Sequence, residues 1–97
     1  MATVNVTNSK FQYVGPTLTG TNPCTYIGTE YPGAVLIKGT NNVVSFYSCS
    51  FNQIRCSAIQ SQGGSLTVQD TAFYYIFGTA IWYTSTSSLV LENNSFF

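Results

Sequence analysis

The feature that most constrains this chain is a repeat of about 22 residues that occurs four times. Each copy has apolar residues at its first and third positions and phenylalanine at its eighth. The three complete copies add valine or isoleucine at the eleventh position, and the fourth is cut off just after its phenylalanine. The copies begin at Val4, Val44, Leu66 and Leu89.

The spacing of the copies locates an insertion. The last two starts lie 22 and 23 residues apart (44 to 66 and 66 to 89), whereas the first interval is 40 residues (4 to 44). The extra residues fall within Gly15 to Pro32, a segment rich in Gly, Pro and Thr, which has the composition of a surface loop. We therefore expect residues 1–97 to form one domain with an insertion loop at 15–32.

The pattern inside each copy predicts three short strands. Apolar residues at the first and third positions have the period of a strand with one buried face, and the polar fifth position marks a bend. A second strand carries the phenylalanine, and a third carries Ala58-Ile59 or Ala80-Ile81. Repeats of this kind stack on their neighbours, so we expect an all-β fold, a single-stranded parallel β-helix or solenoid of about 3.5 turns. A β-sandwich is the alternative. Its hairpins would not require Phe-x-x-Ile or Phe-x-x-Val to recur at the same positions of successive copies.

Stacked turns place equivalent side chains in columns inside the coil. Neighbouring strands lie roughly 4.8 Å apart, so the phenylalanine rings of successive copies should stack. Each buried aliphatic or aromatic side chain stabilises the fold by about 1.5–3 kcal/mol. The predicted core ladder consists of two such columns, Phe11, Phe51, Phe73, Phe96 and Val6, Phe46, Val68, Leu91.

The copies also follow a looser family pattern, S-L-x-I-x-N-S-x-F-x-x-N followed by G-A-I, which is carried by residues 65–68, 93–96, 33–35 and 51–54. This pattern resembles the repeats of pectate-lyase-like proteins and, more closely, those of polymorphic outer-membrane-protein-like proteins. The resemblance covers the chain outside 15–32 and implies a right-handed parallel β-helix. Such repeats occur in lyases, hydrolases, adhesins and viral fibres, so the resemblance implies little about function.

Charged side chains are too few for several classes of function. The chain has three basic residues, three acidic residues and no histidine. Nucleic-acid binding needs clustered cations, and glycoside cleavage needs paired carboxylates. We therefore predict no nucleic-acid partner, no enzymatic activity, and no metal or cofactor. Asp70 shares the fifth position with Asn8 and Asn93 and is interpreted as a turn residue.

Three cysteines leave at least one thiol outside any intramolecular pair. The insertion should emerge beside the turn that contains Cys56, so Cys24 could reach Cys56 and leave Cys49 free. Cys49–Cys56 is the competing pair, and three small buried thiols are the remaining alternative. A disulfide would imply an oxidising compartment.

Two Asn-x-Ser/Thr triplets begin at Asn5 and Asn93. Asn5 lies between two inward valines and should face solvent, where it could carry a glycan in a secreted eukaryotic protein. Chance occurrence is the alternative in a chain this rich in Asn and Thr. The sequence contains neither an apolar run of about 18 residues nor a basic segment followed by an apolar one, so no transmembrane segment or signal peptide is expected.

The ends of the predicted coil are apolar and carry no cap. Solenoids normally cap their terminal repeats, and an uncapped end accepts another copy. A contact between opposite ends propagates into a filament when it does not close. The predicted assembly ends are Val4, Val6, Leu89, Leu91, Phe96 and Phe97.

These features predict a non-enzymatic structural subunit whose partner is itself, stacked end to end in an extracellular filament or one on a cell or virion surface. The alternative is a fragment or module of a β-helix adhesin or viral fibre that binds glycans or a protein partner. The aromatic cluster Phe73-Tyr74-Tyr75 and Trp82-Tyr83 could form a sugar-stacking surface, although packing against a neighbouring chain explains it equally well.

Overall fold

A computed structural model describes residues 3–15, 24–26, 29–30, 32–39, 41–84 and 86–97. These residues form thirteen strands and no helix, so the all-β prediction is confirmed. The strands are β1 (Thr3–Thr7), β2 (Lys10–Gln12), β3 (Thr25–Tyr26), β4 (Thr29–Glu30), β5 (Pro32–Ile37), β6 (Val43–Tyr47), β7 (Ser50–Arg55), β8 (Ser57–Ser61), β9 (Gly64–Gln69), β10 (Ala72–Phe77), β11 (Ile81–Tyr83), β12 (Thr86–Glu92) and β13 (Ser95–Phe96).

The strands of successive repeats form three parallel sheets. Sheet 1 has the order β1-β6-β9-β12, sheet 2 the order β2-β7-β10-β13, and sheet 3 the order β5-β8-β11. Each repeat adds one strand to sheet 1 and then one to sheet 2, and the first three repeats also add one to sheet 3. The parallel pairing of these strands excludes an antiparallel β-sandwich. Within the described part of the chain, only β3 and β4 pair in an antiparallel manner.

The register of the sheets confirms the alignment of the repeats. The phenylalanine rings at the eighth position stack face to face, with centroids 4.6, 5.1 and 5.0 Å apart and interplanar angles of 4°, 6° and 4°. Offset parallel stacking is a favourable arrangement for aromatic rings. The residues in register are Val4, Val44, Leu66, Leu89; Val6, Phe46, Val68, Leu91; and Phe11, Phe51, Phe73, Phe96.

Apart from Ile37 of the first repeat, the buried core lies in the two middle repeats. Phe51, Ile54 and Ile59 have no exposed surface, and Phe46 packs its ring edge-on to Phe51 at 5.9 Å. Strands of a repeat on either side cover these residues. The buried cluster comprises Ile37, Val44, Phe46, Cys49, Phe51, Ile54, Ala58, Ile59, Leu66, Val68 and Phe73.

The bend between sheets 1 and 2 uses a left-handed residue in every repeat. Asn8, Ser48, Asp70 and Asn93 have φ values of 51°, 56°, 52° and 55°. Asn and Asp tolerate this conformation better than most residues. The exposed Asp70 lies at one of these bends, as predicted, and donates its backbone N–H to the carbonyl of Glu92 in the next repeat at 3.0 Å.

The insertion differs from the predicted loop at its C-terminal end. Pro32 is the first residue of β5 and pairs with Ser57, so the prediction that the loop extends through Pro32 is wrong. Proline is tolerated at the first position of a strand because it need not donate to the sheet there. Residues 24–26 and 29–30 contribute the short β3–β4 pair, and residues 16–23, 27–28 and 31 lie outside the described part of the chain.

Candidate assembly faces

The stack of strands has two end surfaces, which we call the N-face and the C-face. The N-face is formed by the edge strands β1, β2 and β5, and the C-face by the edge strands β12 and β13. An edge strand presents a row of backbone N–H and C=O groups that no neighbouring strand uses. Both faces therefore offer hydrogen bonds as well as side chains to a further strand.

The N-face contains an apolar hollow of about 440 Å³. Val6 is smaller than Phe46, its partner in the next repeat, so the first repeat fills less of the interior than the second. Val4 is 44% exposed and Val6 is half-buried. The lining residues are Val4, Val6, Phe11, Val35, Leu36, Ile37, Lys38, Asn42, Val44 and Phe46.

The C-face exposes apolar side chains. Leu91, Phe96 and Phe97 are 46%, 56% and 71% exposed, and Leu89 is half-buried. Leu91 and Phe96 keep their places in the predicted ladder, but their assignment to the core is wrong. They are exposed because β12 and β13 are edge strands, so no described strand covers them.

The two faces differ in charge. Lys10 lies on β2 and Lys38 lines the hollow, so the N-face is positive. Glu92 is the last residue of β12, so the C-face is negative, and all three side chains are exposed. Contact between opposite faces would bring unlike charges together, whereas contact between like faces would bring like charges together.

A column of small and polar residues lies at the sixth position of the repeats. Thr71 Oγ1 donates to the carbonyl of Gln69 at 2.9 Å, and the Cys49 N–H donates to Thr71 Oγ1 at 3.4 Å. Asn94 Oδ1 accepts from the Thr71 N–H at 3.1 Å, and its Nδ2 donates to the Val68 carbonyl at 2.9 Å. These side chains satisfy backbone groups that the bend removes from the sheets.

The sequence analysis missed this column because it considered the fifth position of the repeat. The residue types at the sixth position differ in every repeat, so they form no motif. Their shared small size beside a predicted bend is the signal that could have revealed them. The column consists of Ser9, Cys49, Thr71 and Asn94.

The cysteine pair fastens the insertion to the second repeat. Cys24 and Cys56 form a disulfide with Cα atoms 5.2 Å apart, which confirms that predicted pair. Cys49 is buried and free, so the competing Cys49–Cys56 pair is excluded. The chain returns from the insertion at Gly33, where an added Cβ would lie 2.2 Å from the carbonyl oxygen of Arg55, the residue that precedes Cys56.

The two predicted glycosylation positions are accessible. Asn5 is exposed on β1 and pairs with Ser45, which places it in the outward column of sheet 1. Asn93 is exposed at the last bend. Glycosylation of either residue stays a prediction.

The described residues contain neither a metal-binding cluster nor a membrane-spanning helix. Within the ranges given above, no three His, Cys, Asp or Glu side chains lie close enough together to hold a metal ion. No helix among those residues is long and apolar enough to cross a membrane. The chain matches none of the protein-family models, curated proteins or solved structures with which we compared it.

Proposed function

We propose that this chain is a right-handed parallel β-helix that serves as a non-enzymatic structural subunit and stacks end to end into an extracellular or surface filament. The observation that carries the proposal is the match between its two faces. The C-face projects Leu91 and Phe96, and the N-face presents a hollow bounded by Val6 and Phe11, which occupy the same columns.

The proposed joint repeats a contact already present inside the chain. Phe11 of one copy would stack on Phe96 of the next, extending a column whose rings are 4.6–5.1 Å apart. Leu91 would enter the hollow above Val6. Burial of Leu91 and Phe96 would contribute about 1.5–3 kcal/mol each, less the cost of association.

The charge of the faces supports a head-to-tail joint. Lys10 and Lys38 at one end and Glu92 at the other favour contact between opposite faces. Such a contact leaves a free N-face on one copy and a free C-face on the other, so copies add without limit unless the rotation closes a ring. The Cys24–Cys56 disulfide is compatible with an oxidising, extracellular location.

A second candidate follows from the shape of the C-face. Sheet 3 has three described strands, whereas sheets 1 and 2 have four, so the C-face is stepped at β11. A module of a longer β-helix adhesin or viral fibre would fill this step with a further strand of its own polypeptide. A homopolymer would leave the position above β11 open at every joint.

Negative-stain microscopy and light scattering of the purified chain test the filament. We expect fibres from the wild type and monomers of about 10 kDa from Leu91→Lys, because an inward lysine would have to be buried in the joint. The matched control is Val90→Lys on the same strand, since Val90 faces outward and should tolerate the charge. Monodisperse wild-type monomers, or equal assembly by both variants, would contradict the proposal. Monomers that become stable only when longer natural sequence is included would favour the second candidate.

A further inference from the structure

The outer side of sheet 2 carries two exposed tyrosines in an uncommon backbone conformation. Tyr13, Gln53 and Tyr75 occupy the tenth position of successive repeats, with φ values of 55°, 54° and 51°. Gly or Asn would form this bend at lower conformational cost than a bulky residue. Tyr13 and Tyr75 are nevertheless 73% and 65% exposed. The bend itself belongs to the repeat, since Gln53 forms it too, but it does not require an exposed aromatic ring, and tyrosine is enriched at binding surfaces.

The surroundings of these tyrosines are positive and rich in amides. The strands of sheet 2 contain Lys10 and Arg55, two of the three basic residues of the chain, and no acidic residue. Gln12 and Gln53 are exposed beside the tyrosines and carry amides that both donate and accept hydrogen bonds. The face therefore combines flat rings, neutral hydrogen-bonding groups and a cation.

We propose that this outer face of sheet 2 binds a carboxylated oligosaccharide. A tyrosine ring packs against the C–H face of a sugar, and its hydroxyl hydrogen-bonds at the edge. The exposed Arg55 guanidinium matches a carboxylate with two parallel hydrogen bonds. Successive strands lie roughly 4.8 Å apart, so Tyr13 and Tyr75 lie about 10 Å apart, which suits two sugar residues of an extended glycan running along the stack.

Other ligands fit this face less well. Attachment to an anionic membrane strengthens with the number of Lys and Arg side chains near its surface, so two cations give weak attachment. Nucleic-acid binding needs more neutralised phosphates than two cations supply. The site uses neither Leu91 nor Phe96, so it does not depend on end-to-end assembly.

Titration calorimetry with the full chain tests the site. The probes are hyaluronate oligosaccharides, which carry carboxylates, dextran oligosaccharides of equal length, which do not, and phosphatidylserine vesicles. We expect hyaluronate to bind more tightly than dextran, and Tyr75→Ser to weaken hyaluronate binding roughly threefold to tenfold. Arg55→Gln should remove the preference for hyaluronate and most of its salt dependence. Tyr47→Ser is the matched control, because Tyr47 lies on β6 in sheet 1, away from the proposed site.

Three results would overturn the inference. These are no binding of either oligosaccharide, equal losses of affinity in Tyr75→Ser and Tyr47→Ser, or binding to vesicles alone. Far-UV circular dichroism identifies a variant that fails to fold, and Tyr75→Phe, which keeps the ring, should retain most of the affinity. Filament formation is scored separately by microscopy, so failure of this site leaves the assembly proposal standing.

Discussion

The middle repeats and the end repeats share one sequence pattern but differ in what covers it. Phe51 and Phe73 are 0% and 1% exposed, whereas Phe96, in the same column and with the same ring stacking, is 56% exposed. A phenylalanine becomes core here only when a strand lies on each side of it. The comparison shows that burial in a stack of repeats depends on a neighbouring strand on each side. It leads to the expectation that the edge strands at the ends are covered by strands of another copy.

The largest expected change in stability comes from comparing a buried and an exposed phenylalanine of the same column. Phe51→Ala should lower the free energy of unfolding by about 3–5 kcal/mol, because it removes a fully buried ring and leaves a cavity. Phe96→Ala should cost less than about 1 kcal/mol in the monomer, since its ring is already largely in water. Urea denaturation at low protein concentration measures both, so that assembly does not add to stability. Equal losses of stability in the two variants would mean that Phe96 at the C-face is as well covered as Phe51 in the middle of the stack.

The next effect concerns the link between the insertion and the middle of the stack. Replacing both Cys24 and Cys56 by serine should lower the free energy of unfolding by about 3.5–4 kcal/mol, because the bond closes a loop in the unfolded chain. The separation of 32 residues sets this estimate. Cys49→Ala is the control, and reduction of that variant should reproduce the loss seen in the double variant. A double variant as stable as wild type would contradict the role given to the disulfide.

Two glycines near the turn that connects sheet 3 to sheet 1 should differ in how much stability is lost when each is replaced by alanine. Gly64 has φ +79°, and an added Cβ would lie 2.3 Å from the backbone oxygen of Asn42. Gly39 has φ +104°, and its nearest neighbour would be the flexible Asn42 side chain at 3.0 Å. Thermal unfolding should show a loss of about 2–3 kcal/mol for Gly64→Ala and about 1 kcal/mol for Gly39→Ala. The reverse order would show that the backbone of Asn42 adjusts freely.

The smallest expected change in the free energy of unfolding belongs to the column of small and polar residues at the sixth position. Thr71→Val should cost about 1–2 kcal/mol, because the buried Cys49 N–H loses its acceptor. Ser9→Ala, at the exposed end of the column, should change the free energy of unfolding by less than about 0.5 kcal/mol. Hydrogen exchange of the Cys49 amide provides a local readout, which should accelerate in Thr71→Val alone.

Much of the strand order could be predicted from the sequence because the apolar positions repeat at a fixed phase. The predicted alignment of the first positions is confirmed for Val4, Val44, Leu66 and Leu89. This alignment is well determined because a shift of one residue would move every inward side chain of a strand to its outer face. The approximate place of the insertion followed from the interval of 40 residues between the first two copies (4 to 44).

Other features could not be predicted because they depend on differences between copies. The hollow arises where Val6 faces Phe46, and a consensus pattern treats both simply as apolar. Leu91 and Phe96 match core positions in type, so exposure could be assigned to them only once the edge strands were known. The positive face of sheet 2 combines Lys10 and Arg55, which are far apart in sequence and come to lie on neighbouring strands only after the repeats align.

Cross-linking of the proposed joint tests the central claim most directly. Asn5 and Val90 share the outward column of sheet 1, so a head-to-tail joint would place Asn5 of one copy beside Val90 of the next, within the Cα separation that a disulfide spans. The variant Asn5→Cys with Val90→Cys should give a ladder of covalent multimers on a non-reducing gel after oxidation. The variant Asn5→Cys with Ser88→Cys, two residues out of register, should give none. Absence of the ladder, or the same ladder from both variants, would contradict in-register stacking of the two faces.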